Sequence, residues 1–166
     1  MTDSEDNYEQ VLFRYHSNVL DDITVETMWA KTVDKEKGIY QLDNIPFYGP
    51  AIATDDEFLA EFDTDEDKLT FREVTKHSGN SIVLVIVAGN GLDRDVIRNR
   101  FKELNCTSEA MNEKYFSMEI LKHVNYSEVR TVLEDFQSKE LINFAEPCLS
   151  QKHAADLEVE ETNEEE

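Results

Sequence analysis

The sequence predicts an α+β protein in two halves: an N-terminal antiparallel, β-rich, barrel-like half and a C-terminal ferredoxin-like half of β-α-β-β-α-β order. Three observations lead there. Residues 10–78 alternate between apolar and polar types and carry little helical periodicity. "SIVLVIVA", from Ser81, is continuously apolar, as a central strand covered by helices would be. Beyond it, two segments of helical period alternate with short strand-like ones.

In the first half, "QVLFRYHS" is rich in Val, Phe and Tyr and reads as a strand. "VETMWAKTVD" places Val25, Thr27, Trp29 and Lys31 on one face and Glu26, Met28, Ala30 and Thr32 on the other. "KEKG" turns the chain into "IYQL". "EFLAEFD" and "KLTFREVTKH" flank the polar connector "TDED", the pattern of a hairpin with a four- or five-residue loop. Between them, "GIYQLDNIPFYGP" gathers aromatic rings, prolines and glycines around one charge, Asp43. Asp43-Asn44 is a turn pair, and Pro46 holds Ile45 extended, so most of this stretch reads as structural. Tyr48 is its candidate for contact with a partner.

In the second half, "GNG" ends the apolar strand. "LDRDVIRNRFKEL" then sets Val96, Ile97, Phe101 and Leu104 on one helical face, with Asp93 and Asp95 at its N-terminus. "CTSEAM" and "KYFSMEI" are strands around Asn112-Glu113. "NYSEVRTVLEDFQSKELI" is a second helix with Ser127 as the expected N-cap. "NFAEPCL" closes the unit, and Pro147 places it at a sheet edge. The boundaries expected are a disordered acidic N-terminus over 1–9, a β-rich subdomain over 10–78, a ferredoxin-like subdomain over 79–150 and a disordered acidic tail over 151–166.

The chain of 166 residues carries 37 Asp and Glu against 16 Lys and Arg, a formal charge of −21. The segment 11–150 keeps −11 of it, so the body itself is acidic. An acidic body repels phosphate backbones and anionic membranes and attracts basic proteins. The expected partner is therefore a basic protein, with no nucleic acid and no membrane. The first ten residues lack the basic and apolar regions of a signal peptide. The seven-residue apolar run from Ile82 is far short of the ~20 residues of a spanning helix, so a cytoplasmic location is expected.

Motifs for chemistry fail on spacing. "GNG" lacks the third glycine of a dinucleotide loop, since Arg94 stands there. Asp63, Asp65 and Asp67 open a calcium-loop pattern, but Lys68 and Val74 occupy the positions that need glycine and glutamate. His16, His77, His123 and His153 show no ligand spacing, and Ser81 lacks a nucleophile elbow. Cys106 and Cys148 read as small buried hydrophobes, free of disulfide or zinc. No catalytic residue, metal or cofactor is assigned.

One cluster stands out. Asp55, Asp56, Glu57, Glu61, Asp63, Asp65, Glu66 and Asp67 place eight carboxylates in thirteen residues around Phe58, Leu59 and Phe62. That candidate acidic face suits a Lys- and Arg-rich partner. The segments "MWAKTV", "YQLDNIPFY", "LTFREVTKHSGNSIVLVIV", "LNCTSEAM" and "NFAEPCLS" resemble a bacterial family of domains of unknown function, number 4265. The resemblance covers roughly 11–150 and implies those boundaries, a bacterial origin and no established active site. Asn80 departs from it, because relatives often carry histidine after Ser-Gly. The function expected is a non-enzymatic acidic binding protein, most concretely an immunity-type inhibitor that occludes a basic toxin or effector domain. A regulatory or small-ligand module using the cleft between the halves is the alternative, and an enzyme without a recognised motif a third.

Overall fold

The computed structural model describes residues 7–17, 21–88 and 92–165. In its first half, β1 (Tyr8–Ser17), β2 (Asp22–Asp34), β3 (Ile39–Leu42), β4 (Glu57–Asp63) and β5 (Lys68–Lys76) follow one another round a closed ring. Four successive pairings are antiparallel, and the β1–β5 seam is parallel with the single partner pair Leu12–Thr70. The expectation of an antiparallel barrel-like half is corrected accordingly. In a meander of five strands the first and last run the same way, so antiparallel pairing cannot continue round the ring. The half is a curled meander joined at one point.

Gly38 makes the β2–β3 turn. Its φ is +73°, and a side-chain carbon there would lie 2.9 Å from the Ala60 carbonyl oxygen, so only glycine fits. The ring's interior holds Val11, Phe13, Met28, Leu42, Phe58 and Ala60. Phe13 stacks on Phe71 at 4.8 Å and meets Phe58 edge-on at 5.3 Å. The alternation of β2 is resolved in an uncommon sense: Glu26, Met28 and Ala30 face inward, and Trp29 faces out.

The second half comprises β6 (Ser81–Val87), α1 (Arg94–Lys102), β7 (Thr107–Asn112), β8 (Tyr115–Ile120), α2 (Tyr126–Ser138) and β9 (Ile142–Cys148). The sheet order is β7-β8-β6-β9, all antiparallel, with β7 and β9 at opposite edges. This is the order of the split β-α-β unit. Asp93 caps α1 by accepting the Asp95 N–H at 2.9 Å. Ile97 and Phe101 point inward from α1, while Val96 lies on its exposed side. The α2 cap is Asn125, which accepts the Ser127 N–H at 3.1 Å, so the expected cap lies two residues too late. The expected strand-to-helix turn, Gly89 to Gly91, lies outside the described residues.

Residues 151–166 were expected to be disordered; Gln151–Glu165 instead form α3. Likewise Tyr8 and Glu9, assigned to the disordered N-terminus, open β1. The acidic composition of α3 hides its attachment. His153 is 0% exposed, with Nδ1 2.6 Å from the Ser81 hydroxyl and Nε2 3.0 Å from the Leu121 carbonyl oxygen. That carbonyl can only accept, so Nε2 carries the proton and Ser81 donates to Nδ1. One turn on, Asp156 accepts the Tyr126 N–H at 3.0 Å and the Lys152 ammonium at 2.9 Å.

The two halves meet along the segment 43–56. Helices α1 and α2 cover one face of the ferredoxin-like sheet. On the other face, Ile45 and Ala53 pack with Ile82, Leu84, Tyr115 and Cys148. Backbone groups of "IPFY" are then tied from both sides. Ser117 donates to the Pro46 carbonyl at 2.5 Å, Tyr115 to that of Phe47, and Ser17 to that of Tyr48. The buried Glu26 carboxylate accepts the Phe47 N–H at 2.8 Å, the Tyr48 N–H at 3.4 Å and the Tyr15 hydroxyl at 2.8 Å.

Two measurements test this framework. Burial holds the His153 imidazole below its usual value of 6.5, against the hydrogen bond to the Leu121 carbonyl that favours the charged form. The neutral ring therefore stabilises the fold above pH 6.5, and that contribution is lost as the pH falls through the lower folded-state value. Urea unfolding should show the wild type losing stability from pH 7.5 to 5.5, with His153→Ala flatter over that window. An equal slope for the two would remove His153 from this role. Glu26→Ala leaves three part-buried donors without their acceptor and should cost about 2–4 kcal/mol by urea unfolding. Glu26→Gln, which keeps one acceptor, should cost less. A loss within 0.5 kcal/mol for the alanine variant, about the usual effect of a neutral surface change, would reject the Glu26 anchor.

Candidate functional site

The acidic cluster does not form one face. Asp56 is 1% exposed and is consumed by the backbone, accepting the Ala53 N–H at 3.0 Å and the Ser78 N–H at 2.8 Å. Asp63 shapes the β4–β5 turn by accepting the Asp65 and Glu66 N–H groups at 2.9 and 3.1 Å. These bonds, with the Arg72 guanidinium at 3.1 Å, hold its carboxyl below the usual range. Glu61 lies 3.8 Å from Arg72, and Glu66 is held by Arg14. Asp65 and Asp67 stay exposed at the hairpin tip. Asp55 and Glu57 sit at the other end of β4, about 20 Å away at ~3.4 Å per residue. The structure thus splits the predicted site into a turn, a buried brace and a cleft wall. Tyr48 is half-buried, with its backbone held by Glu26 and Ser17, so the segment's role is to join the halves.

The cleft runs along Ser78-Gly79-Asn80, where the chain passes from ring to second sheet. Two open cavities of about 370 and 500 Å³ share His77, Ser78, Asn80 and Lys122. Asn80 is its hub. The side chain donates to the Thr54 carbonyl at 3.0 Å and to Asp55 at 3.3 Å, and accepts the Lys122 N–H at 2.8 Å. His77 lies 3.6 Å from the buried Asp56 carboxylate but is 73% solvent-exposed. A buried acid beside an imidazole is the pattern that orients a general base, yet here the separation exceeds a hydrogen bond and the acid's oxygens already serve two backbone donors.

Ser81 and His153 also form a pair of catalytic type. Both are 0% exposed, the Ser81 oxygen accepts the Ser150 N–H at 2.8 Å, and the pair clamps α3 out of reach of a substrate. Cys106 is buried and Cys148 half-buried; both are free, and burial pushes each thiol up to about 12. Among the described residues no group of three or more His, Cys, Asp or Glu is placed to hold a metal ion. Nor is any helix among them long and apolar enough to cross a membrane.

Sequence reasoning missed Glu26, Asp156 and the His153 clamp. Glu26 leaves a trace, because it shares a strand face with Met28 and Ala30. The His153 partners come from residues 72 and 32 positions away, which no local pattern records.

Comparison with known proteins bears on the fold and the family. A crystal structure of a hypothetical protein from Neisseria gonorrhoeae matches with a TM-score of 0.73 and 19% identity, covering 86% of this chain and 95% of that one. At that identity the likeness concerns the fold alone. No curated protein matches the sequence significantly. The family model described as "Domain of unknown function (DUF4265)" matches residues 26–144, from the buried Glu26 to β9, and the chain belongs to that bacterial family.

Proposed function

We propose that the chain is a non-enzymatic acidic binding protein for a basic protein, most concretely an immunity-type inhibitor that occludes a toxin or effector domain in the cytoplasm. One observation carries the reading: the arginines are already spent. Arg14, Arg72, Arg94, Arg98, Arg100 and Arg130 each lie within 4.0 Å of a carboxylate of this chain. With 37 carboxylates in the sequence, the excess negative charge is left to solvent and to partners. Such a field speeds encounter with a cationic surface and disfavours nucleic acid and anionic membrane. The cleft at Ser78–Asn80 favours a second reading, a small-ligand module.

The test is affinity capture from the source bacterium with the tagged chain, followed by stopped-flow association with the purified captured protein. The expected partner has a high isoelectric point, and its association rate should fall about tenfold between 10 and 150 mM salt. A rate insensitive to salt, or an acidic partner, would sink the electrostatic reading. A melting temperature raised by a metabolite, without any protein captured, would support the ligand module.

A further inference from the structure

Among the described residues of the ring, β2 carries four exposed large apolar side chains and β4 one, Phe62. On β1 the exposed positions are Gln10, Arg14 and His16, and on β5 they are Lys68, Arg72, Glu73, Thr75 and Lys76. On β2 the outward residues include Ile23, Val25, Trp29 and Val33, which are 59%, 43%, 49% and 49% exposed. Successive outward residues stand about 7 Å apart, so the row runs roughly 30 Å along one strand. This row, interrupted by Thr27 and Lys31, gathers on one strand face apolar residues that a surface usually exposes singly.

The surroundings say what kind of partner fits. Asp21 and Asp22 lie at one end of the row and Asp34 at the other, while the Asp43 N–H bonds the Trp29 carbonyl at 3.0 Å. Of the basic side chains on the same face, Arg14 is held by Glu66, and the His16 ring lies 3.4 Å from Asp21. Lys31 alone among them has no carboxylate of the described residues within ion-pair distance. An apolar centre anchored on tryptophan inside an acidic rim is the anatomy of a protein interface whose partner is cationic at its edge. A second copy of this chain would bring another −21 against it.

We infer that the outer face of β2 is the docking surface, and that its occupant is a basic protein presenting an apolar row flanked by Lys or Arg. This rests on the reading of the chain as a binder of basic proteins, and the experiment separates the two.

Trp29 is the sole tryptophan, so its emission reports on this face. The probe is an alternating Leu-Lys peptide of about ten residues. It should shift Trp29 emission to the blue, and Val25→Asp and Ile23→Asp should each weaken binding about tenfold, as expected when an apolar anchor of an interface is replaced by a charge. Val96→Asp, an equally exposed apolar site on α1, should leave it unchanged. Circular dichroism checks the fold of each variant, and Val25→Thr is the milder substitute if Val25→Asp unfolds. An all-Lys peptide that binds as tightly, with no shift, would reject the face and leave the basic-partner reading standing. A Leu-Glu peptide that binds as well as Leu-Lys would reject the basic occupant. Concentration-dependent dimerisation abolished by Val25→Asp would assign the face to a second copy and overturn the proposal.

Discussion

The structure depends on one buried carboxylate. Glu26 points into the protein from β2 and receives two backbone N–H groups and a tyrosine hydroxyl. Moving a carboxylate out of water is costly unless donors replace the water, and here they do. Burial, with the Glu26 charge second, raises the Tyr15 and Tyr115 phenols above their usual values, so both stay protonated at neutral pH. What Glu26 secures is a segment with few internal hydrogen bonds of its own. That segment covers the face of the second sheet that the helices leave bare. A loop that serves as core must have its backbone groups answered, and Ser17, Tyr115 and Ser117 complete the set.

Legibility in the sequence follows the range of the interactions. Local periodicity marks β2 between Val25 and Thr32, β6 as a continuous apolar run, and α1 by Ile97 and Phe101. It also shows that β2 has two faces, but not which one is buried. Composition alone would put Trp29 inside and Glu26 out, and the fold does the reverse because the donors for Glu26 come from Tyr15 and Phe47. The parallel seam of the ring was equally within reach. Five strands in a meander determine it by parity, which needs only a strand count.

The acidic stretches were misread in both places for one reason. A carboxylate-rich segment looks like solvated surface or disorder when its partners are out of sight. In α3 the ordering side chain is His153, buried against Ser81, Leu121 and Tyr126, and Asp156 faces the N–H of Tyr126. In Asp55–Asp67 the acids divide among a backbone brace, a turn and two arginines. Charge counted along the sequence is therefore a poor map of charge offered to a partner. Residues such as Asp56 contribute to the total and nothing to the surface.

This separates two functions of the net charge. Near a partner, the useful carboxylates are those left exposed, such as Asp65 and Asp67 at the hairpin tip. Far from a partner, the total matters. A long, exposed apolar row on a strand invites association between copies. A charge of −21 on each copy opposes that association at long range, while drawing in a cationic surface of the same shape. On the proposed reading, acidity and the apolar row on β2 are one arrangement, in which the first makes the second selective for a cationic partner.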